Sequence, residues 1–342
     1  MLPMFDDQQY PATLQTILDA FALGSCVRIA RLGGTATPKF DVQTDCGRFV
    51  VRVRAEEFSR ESMVRFDHEA LRQLAAHGMP VPCPQVGPGG TTWLHLSGHA
   101  IEVLSWIEGQ PFSWHDLEAV RDVGRFLARF HAVLASDPPP GKEGFLREDH
   151  PDLLAPLVDG IRSRCRTASE RALVARIADE IESVRSEYDG QLRPQIPTAV
   201  IHGDIHSGNI KFRDSRVAAV YDFDYLSVEA RLRDLCDALL FFAGIRDQPA
   251  DPDDIASLVQ PYRLDPERSR ILLGGYRDVS PLVPEEWEAA PWILRSQWCQ
   301  IRLRGSRKAP EDRKVRFVLD RFFEVIDWLD HEAGEFFERL SH

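Results

Sequence analysis

The sequence predicts an α+β fold of two lobes, a small antiparallel sheet followed by a larger, mainly helical region, and three observations carry that reading. The texture of the chain changes once, near residue 108, from short β-rich runs to long helical patterns. After that point a single segment, residues 198–222, returns to short strands. The 342 residues, 44% hydrophobic and 27% charged, suffice for more than one core, which favours two lobes over one.

Before residue 108 the strand signals are VRIARL (27–32), RFVVRV (48–53), TTWLHL (91–96) and AIEVLSWI (100–107), with turn residues at TDCG and SGH. Alternation in RFVVRV puts Phe49, Val51 and Val53 on one face and Arg52 and Arg54 on the other. Residues 60–78, RESMVRFDHEALRQLAAHG, carry Met63, Asp67, Ala70, Leu71, Leu74 and Ala75 at helical spacing, so one helix is expected against the sheet. Beyond residue 108, helical patterns cover 116–135, 171–188 and 313–340. DPPPG (137–141) and DQPADPDD (247–254) read as loops rather than linkers, and no internal repeat is found. The expected division is 1–107 for the first lobe and 108–342 for the second.

Composition narrows the function. No run approaches the roughly 18 consecutive apolar residues of a membrane span, and MLPMFDDQQY lacks a basic-then-apolar leader, so a cytoplasmic protein with no membrane partner is expected. Six scattered cysteines without a C-x-x-C pair signal neither a zinc site nor a disulfide framework. A formal charge of −12 argues against a nucleic-acid partner, because phosphate contacts need a positive surface, and suits a small or cationic one.

The densest cluster of polar chemistry is VIHGDIHSGNI (200–210). Two apolar runs follow Asn209, separated by RDSR, and read as a hairpin whose second strand ends at Asp222. Antiparallel pairing would bring Asp204, Asn209 and Asp222 to one edge. An amide oxygen and a carboxylate there are ligands that magnesium accepts while it keeps water and phosphate oxygens. Asp204 would then be available to take a proton from an attacking hydroxyl.

His202-Gly203-Asp204-Ile205-His206-Ser207-Gly208-Asn209, then Val220-Tyr221-Asp222-Phe223-Asp224, then Arg231-Leu232-Arg233-Asp234-Leu235 resemble the motifs of the aminoglycoside phosphotransferase and choline kinase family, a branch of the protein-kinase-like fold. Supporting similarity runs from about residue 25 to 245 and includes GRFLARFH (124–131). The resemblance implies a two-lobed kinase with ATP and Mg2+ as cofactors and a small-molecule hydroxyl as acceptor. It makes Asp204 the catalytic base, Asn209 and Asp222 the metal ligands, Asp234 a brace for the catalytic loop and His202 a structural residue. His206 is explained equally by a role in the site or by a loop hydrogen bond, and Asp224 either joins the metal shell or faces water.

By the same resemblance the small lobe holds the nucleotide. In LGGTATPKFDV (32–42), Gly33, Gly34 and Thr35 would let backbone N–H groups approach phosphate. Arg52 aligns with the family's phosphate-gripping lysine and keeps its charge in bidentate form. Its partner is expected on the following helix. Asp67 lies four residues before Leu71 and seven before Leu74, on the inward stripe, whereas Glu69 is placed to face water. Ser105, Trp106 and Ile107 correspond to the strand that binds adenine through its backbone.

Rival readings are a dinuclear metallophosphatase, to which GDIH is also similar although this chain supplies no later G-D-x-x-D or G-N-H, a nucleotide-binding pseudokinase used as an interaction module, and a protein serine/threonine kinase of the stress-response type. Asp224, Glu229 and Asp237, with Trp287, Trp292 and Trp298, suggest an amine-bearing acceptor held by charge and ring faces.

Overall fold

The computed structural model describes residues 10–33, 37–135, 138–142, 145–248 and 255–342. The chain forms two compact units. One takes its residues from Met1–Pro111, Ala132–Gly144 and Asn209–Leu226, the other from Phe112–His131, Phe145–Gly208 and Ser227–His342. The first unit thus recruits two segments from beyond residue 107.

In chain order the first unit opens with α1 (Tyr10–Ala20), β1 (Cys26–Leu32), β2 (Lys39–Thr44), β3 (Arg48–Val53), α2 (Glu61–Ala76), β4 (Trp93–Leu96) and β5 (His99–Ser105). The strands make one antiparallel sheet in the order β1-β2-β3-β5-β4. Register puts Phe40 opposite Val51, Val42 opposite Phe49, Val51 opposite Val103 and Val53 opposite Ile101. These side chains form one apolar face, covered by Leu14, Ile17, Leu18 and Phe21. The covering helix, α1, is a second helix of this unit beside the expected one. Its own i, i+3, i+4, i+7 spacing carries the signal. The segment predicted over 60–78 is α2, which buries Met63, Phe66, Asp67, Ala70, Leu71 and Leu74.

The second unit contains α3 (Leu117–Ala135, its last turn lying in the first unit), α4 (Pro151–Arg162) and α5 (Ala168–Ser183). Thr167 and Glu170 close a reciprocal cap at the start of α5, three residues before the predicted 171. Strands β6 (Thr198–Ile201), β7 (Ile210–Arg213), β8 (Arg216–Val220) and β9 (Ser227–Ala230) follow, then α6 (Leu232–Phe242) and β10 (Gly244–Arg246). β6 pairs with β9 in the second unit, while β7 and β8 form the expected hairpin in the first. The remaining elements are α7 (Ile255–Leu258), β11 (Tyr262–Leu264), α8 (Pro266–Arg277), α9 (Pro284–Gly305), α10 (Lys314–Leu319), α11 (Phe322–His331) and α12 (Ala333–Ser341).

The single helical pattern over 313–340 is therefore three helices. The break has a tertiary cause. Arg302, buried on α9, donates to the carbonyls of Phe317, Val318 and Asp320, and Arg321 adopts a left-handed φ of 54°. A buried guanidinium thus takes the carbonyls that a continuous helix would have used. Among the described residues no helix is long and apolar enough to cross a membrane.

Two glycines let α3 and α8 touch. A Cβ on Gly124 would stand 2.0 Å from the Leu272 carbonyl, and one on Gly275 would stand 2.1 Å from the Arg121 carbonyl. Gly124→Ala is expected to force the helices apart and to cost about 1–3 kcal/mol, read as a lower urea midpoint. An unchanged midpoint would mean the crossing relaxes freely.

Candidate active site

In the first unit the polar face of the sheet is assembled by register. Lys39 lies opposite Arg52, and Arg52 opposite Glu102, so three strands line up a cation, a second cation and an acid. Arg52 is only 5% exposed. Its Nε is 2.7 Å from Glu102, its Nη1 is 3.3 Å from Asp222, and its Nη2 meets Asp224. Lys39 Nζ approaches the other Asp222 oxygen at 2.8 Å. Burial works against the charge on Arg52, but Asp224, Glu102 and Asp222 overcome it and raise its affinity for the proton. Burial likewise pushes Glu102 up, and the charges of Arg52 and Arg54 with the hydrogen bond to His68 hold it far below the usual carboxylate range. His68 links Glu102, at 2.6 Å, to the Thr92 hydroxyl at 2.9 Å.

The expected Arg52–Asp67 pair is not formed. Asp67 meets Arg54, two residues beyond Arg52 and just past the end of β3, and Lys142 at 2.6 Å. Glu69 pairs with Arg72 on the surface. Alternation puts both arginines on one face, and α2 sets Asp67 beside the second of them. Asp67 acts on the 222–226 segment through its partners: Arg54 is 2.8 Å from the Asp224 carboxylate, and Lys142 donates to the Asp224 carbonyl at 2.8 Å. Asp224 is accordingly held by two arginines.

Ile210 pairs with Val220, and the Tyr221 N–H donates to the Asn209 carbonyl at 2.9 Å, so Asn209 and Asp222 stand at the same end of the hairpin. The second strand stops at Val220, two residues short of the expected Asp222. Asp222 adopts a left-handed φ of 66°, uncommon for a residue with a Cβ and a mark of a position held by its surroundings. Gly33 is exposed and stands in open space. Gly34 and Thr35 lie outside the described residues. In the 105–107 segment, the Ser105 N–H donates to Cys83 and the Trp106 N–H to Arg48. The Ile107 carbonyl accepts from Tyr221 at 2.6 Å, and Trp106 lies under the Arg48 guanidinium, 3.7 Å from the ring centre.

In the second unit, β6 delivers the chain into His202-Gly203-Asp204. Asp234, fully buried near the start of α6, accepts the backbone N–H groups of His202 and Gly203, each at 2.8 Å. Gly203 takes a φ of 79°, which glycine adopts without strain. His131, at the end of GRFLARFH, completes the brace, with Nε2 3.0 Å from Asp234 and Nδ1 3.0 Å from the Tyr276 hydroxyl. Burial pushes the Asp234 carboxyl up, but the bond and charge of His131, with the Gly203 N–H, bring it below its ordinary value. The Asp204 N–H donates to His202 Nδ1 at 3.3 Å, and the Asp204 side chain is 38% exposed. A half-open carboxylate thus sits on a loop whose preceding amides are fixed.

Sequence reasoning overlooked Lys39, Glu102 and Lys142. The alternation in PKFDV could have suggested that Lys39 shares a strand face with Asp41, but only register places it beside Arg52. Lys142 follows a proline-rich loop and carries no local signal. The acids and tryptophans expected to hold an amine are mostly engaged otherwise. Trp298 is buried and donates to the Phe322 carbonyl. Arg277 and Arg295 cover Trp287 and Trp292, and Glu229 holds Arg193. Asp237 accepts from Gln297 at 2.7 Å, and burial pushes its carboxyl well up.

Residues 28–272 match the family described as the phosphotransferase enzyme family. The chain belongs to this family. As a member it is a small-molecule kinase, a phosphotransferase with an alcohol group as acceptor. It is 22% identical over 329 residues to a homoserine kinase of Bartonella tribocorum, covering 96% of this chain and 89% of the relative. The structure of the amicoumacin kinase hAmiN, solved with AMP-PNP, Ca2+ and Ami, superposes with a TM-score of 0.67 at 16% identity over 96% of this chain and 94% of that one. A microcompartment-associated aminopropanol kinase gives 0.65 at 15% identity over 94% and 98%. These neighbours share the two-lobed kinase-like α+β fold.

Asp234→Asn keeps the shape of the brace but replaces an acceptor oxygen with an amide that cannot receive an N–H. A loss of about 2–4 kcal/mol at pH 7 is expected. Because the wild-type carboxyl is depressed, its contribution is complete above about pH 4, where an unfolded aspartate ionises, and is lost as pH falls through the lowered value. Urea titrations at several pH values should show the gap between variant and wild type narrowing in acid. A gap that widens would contradict the assignment.

Proposed function

We propose that the protein transfers the γ-phosphoryl group of ATP, bound with Mg2+, to the hydroxyl of a small amine-bearing alcohol. The observation that carries this reading is the half-exposed Asp204 carboxylate on a loop whose two preceding N–H groups are locked on buried Asp234. Such a group is ready to orient an acceptor hydroxyl and take its proton as the oxygen bonds to the γ-phosphorus and the bond to the bridging oxygen of ADP breaks.

The donor set suits magnesium. Asn209 offers an amide oxygen and Asp222 a carboxylate whose oxygens already face two cations, the hard, anionic character that ion requires. When bound, Mg2+ supplies neutralisation of the phosphate charge. Arg52 and Lys39, side by side across β2 and β3, grip phosphate oxygens, the first as a fork and the second as a compact charge. Gly33, Gly34 and Thr35 serve the same phosphates through the backbone. With the Ser105 and Trp106 amides engaged, the Ile107 N–H is the donor this segment offers to adenine. Asp67 is a positioning residue that acts through Arg54 and Lys142 on the Asp222 segment.

An amine on the acceptor is supported by the net charge of −12, which draws cations. It is also supported by the acceptors named for the relatives, homoserine and aminopropanol, both amine-bearing alcohols. ATP consumption across a library of hydroxyl metabolites tests it. The highest kcat/KM is expected among amino alcohols and amino sugars. A best acceptor among neutral sugars or anionic alcohols would overturn the amine, and turnover confined to protein substrates would overturn the small acceptor.

Asp204→Ala should lower kcat by on the order of a hundredfold or more with Mg·ATP affinity nearly intact, whereas Asp222→Asn should weaken Mg·ATP binding itself. Titrating Mg·ATP against both variants decides the roles, and reversed effects would exchange them.

A further inference from the structure

We propose that His206 is a positioning residue for the base, a neutral imidazole whose Nε2–H is aimed at the Asp204 carboxylate. The inference rests on the reading of Asp204 as the base and adds to it a group that acts through that carboxylate.

The argument starts from the backbone. The Gly208 N–H donates to His206 Nδ1 at 3.1 Å. A ring nitrogen that accepts a hydrogen bond has no proton of its own, so the proton of the neutral ring is on Nε2. That nitrogen stands 3.6 Å from Asp204 Oδ2. The distance is too long for a hydrogen bond and short enough for the N–H dipole to favour one carboxylate orientation. A second feature fixes the ring. A Cβ at residue 208 would stand 2.8 Å from His206 Cε1 and 3.0 Å from Nδ1, so only glycine lets the amide come this close. Phe241 backs the imidazole from α6 with ring centres 5.5 Å apart. Two contacts, an amide that the missing Cβ of Gly208 admits and an aromatic ring, therefore hold one tautomer in one orientation. A loop histidine serving only to satisfy Gly208 would not need its other nitrogen turned toward the base.

The arrangement does two things for transfer. It biases the carboxylate toward one orientation for the oxygen that faces the acceptor, and pre-organisation of this kind is what a general base depends on. It also fixes the tautomer, since the Gly208 N–H occupies Nδ1. The imidazole thus sets an N–H dipole beside the Asp204 carboxylate. The only proton that moves is the one passing from the acceptor hydroxyl to Asp204.

The test compares His206→Phe, His206→Asn and His206→Gln. Phenylalanine keeps the ring against Phe241 and removes both nitrogens. Asparagine reaches only as far as Nδ1, and glutamine can place an N–H where Nε2 stands. Phe and Asn variants are expected to lose about tenfold in kcat with KM for Mg·ATP within twofold, while Gln recovers to within about threefold of wild type. Thermal melting reports which variants fold, and if Phe does not, the contrast between Asn and Gln carries the comparison. Equal kcat in Gln and Asn, or a kcat within twofold of wild type in Phe or Asn, overturns the proposal. Asp204→Asn is measured in parallel. If it retains activity, the base reading falls and this inference with it, whereas an inactive Asp204→Asn beside an unaffected His206→Phe removes His206 alone.

Discussion

A guanidinium buried in the middle of a sheet is the constraint around which the first unit is organised. Burying the charge of Arg52 costs several kcal/mol unless partners repay it, and β3 alone cannot provide them. The register of β2 and β5 supplies one neighbour of each sign, Lys39 and Glu102, and the chain returning through the β7–β8 hairpin supplies Asp222 and Asp224. Each partner then needs its own support. Glu102 leans on His68 and Thr92, and Asp224 is shared with Arg54, which brings in Asp67 and Lys142. Four cations, Lys39, Arg52, Arg54 and Lys142, face four carboxylates, Asp67, Glu102, Asp222 and Asp224, so the cluster closes with no net charge.

The second unit solves a different problem with one carboxylate. A loop that leaves β6 and turns at once must satisfy its first amides away from water, and a loop amide buried without a partner is expensive. Asp234 takes both, and His131 on α3, itself held by the Tyr276 hydroxyl of α8, fixes Asp234. The close crossing that Gly124 and Gly275 permit is what lets those two helices converge on the brace. Rigidity is thus built beneath Asp204, while its carboxylate remains open.

The residues most legible in sequence were those whose chemistry is local. His202 to Asn209, Asp222 and Asp234 are recognisable from type and spacing, and the turn at Gly203 and the hairpin after Asn209 follow from short-range rules. What sequence could not yield were relations set by pairing across the sheet. Alternation put Arg52 and Arg54 on one face, but the choice of Arg54 for Asp67 depends on where α2 sits along the strand, and that is a packing result. Lys39 and Glu102 became neighbours of Arg52 only through register. The breaks near residues 320 and 332 were hidden for a similar reason. Helical periodicity runs through both, and the capping of the first by Arg302, from α9, is a distant contact that no local window contains.

On the proposed reading the neutral cluster also explains how arginine serves where a lysine is the family pattern. A lone lysine brings one compact charge, whereas Arg52 spreads three nitrogens over Glu102, Asp222 and Asp224 and leaves the compact charge to Lys39. A net-negative nucleotide can then be met by an exchange of partners rather than by creating charge. If Lys39 and Arg52 turned from Asp222 to phosphate oxygens, the Asp222 carboxylate would lose the two cations that balance it and would be left to hold a hard cation. Phosphate binding and metal binding would in this way be two halves of one exchange, because the two Asp222 oxygens that face Lys39 and Arg52 would be the ones released to the metal.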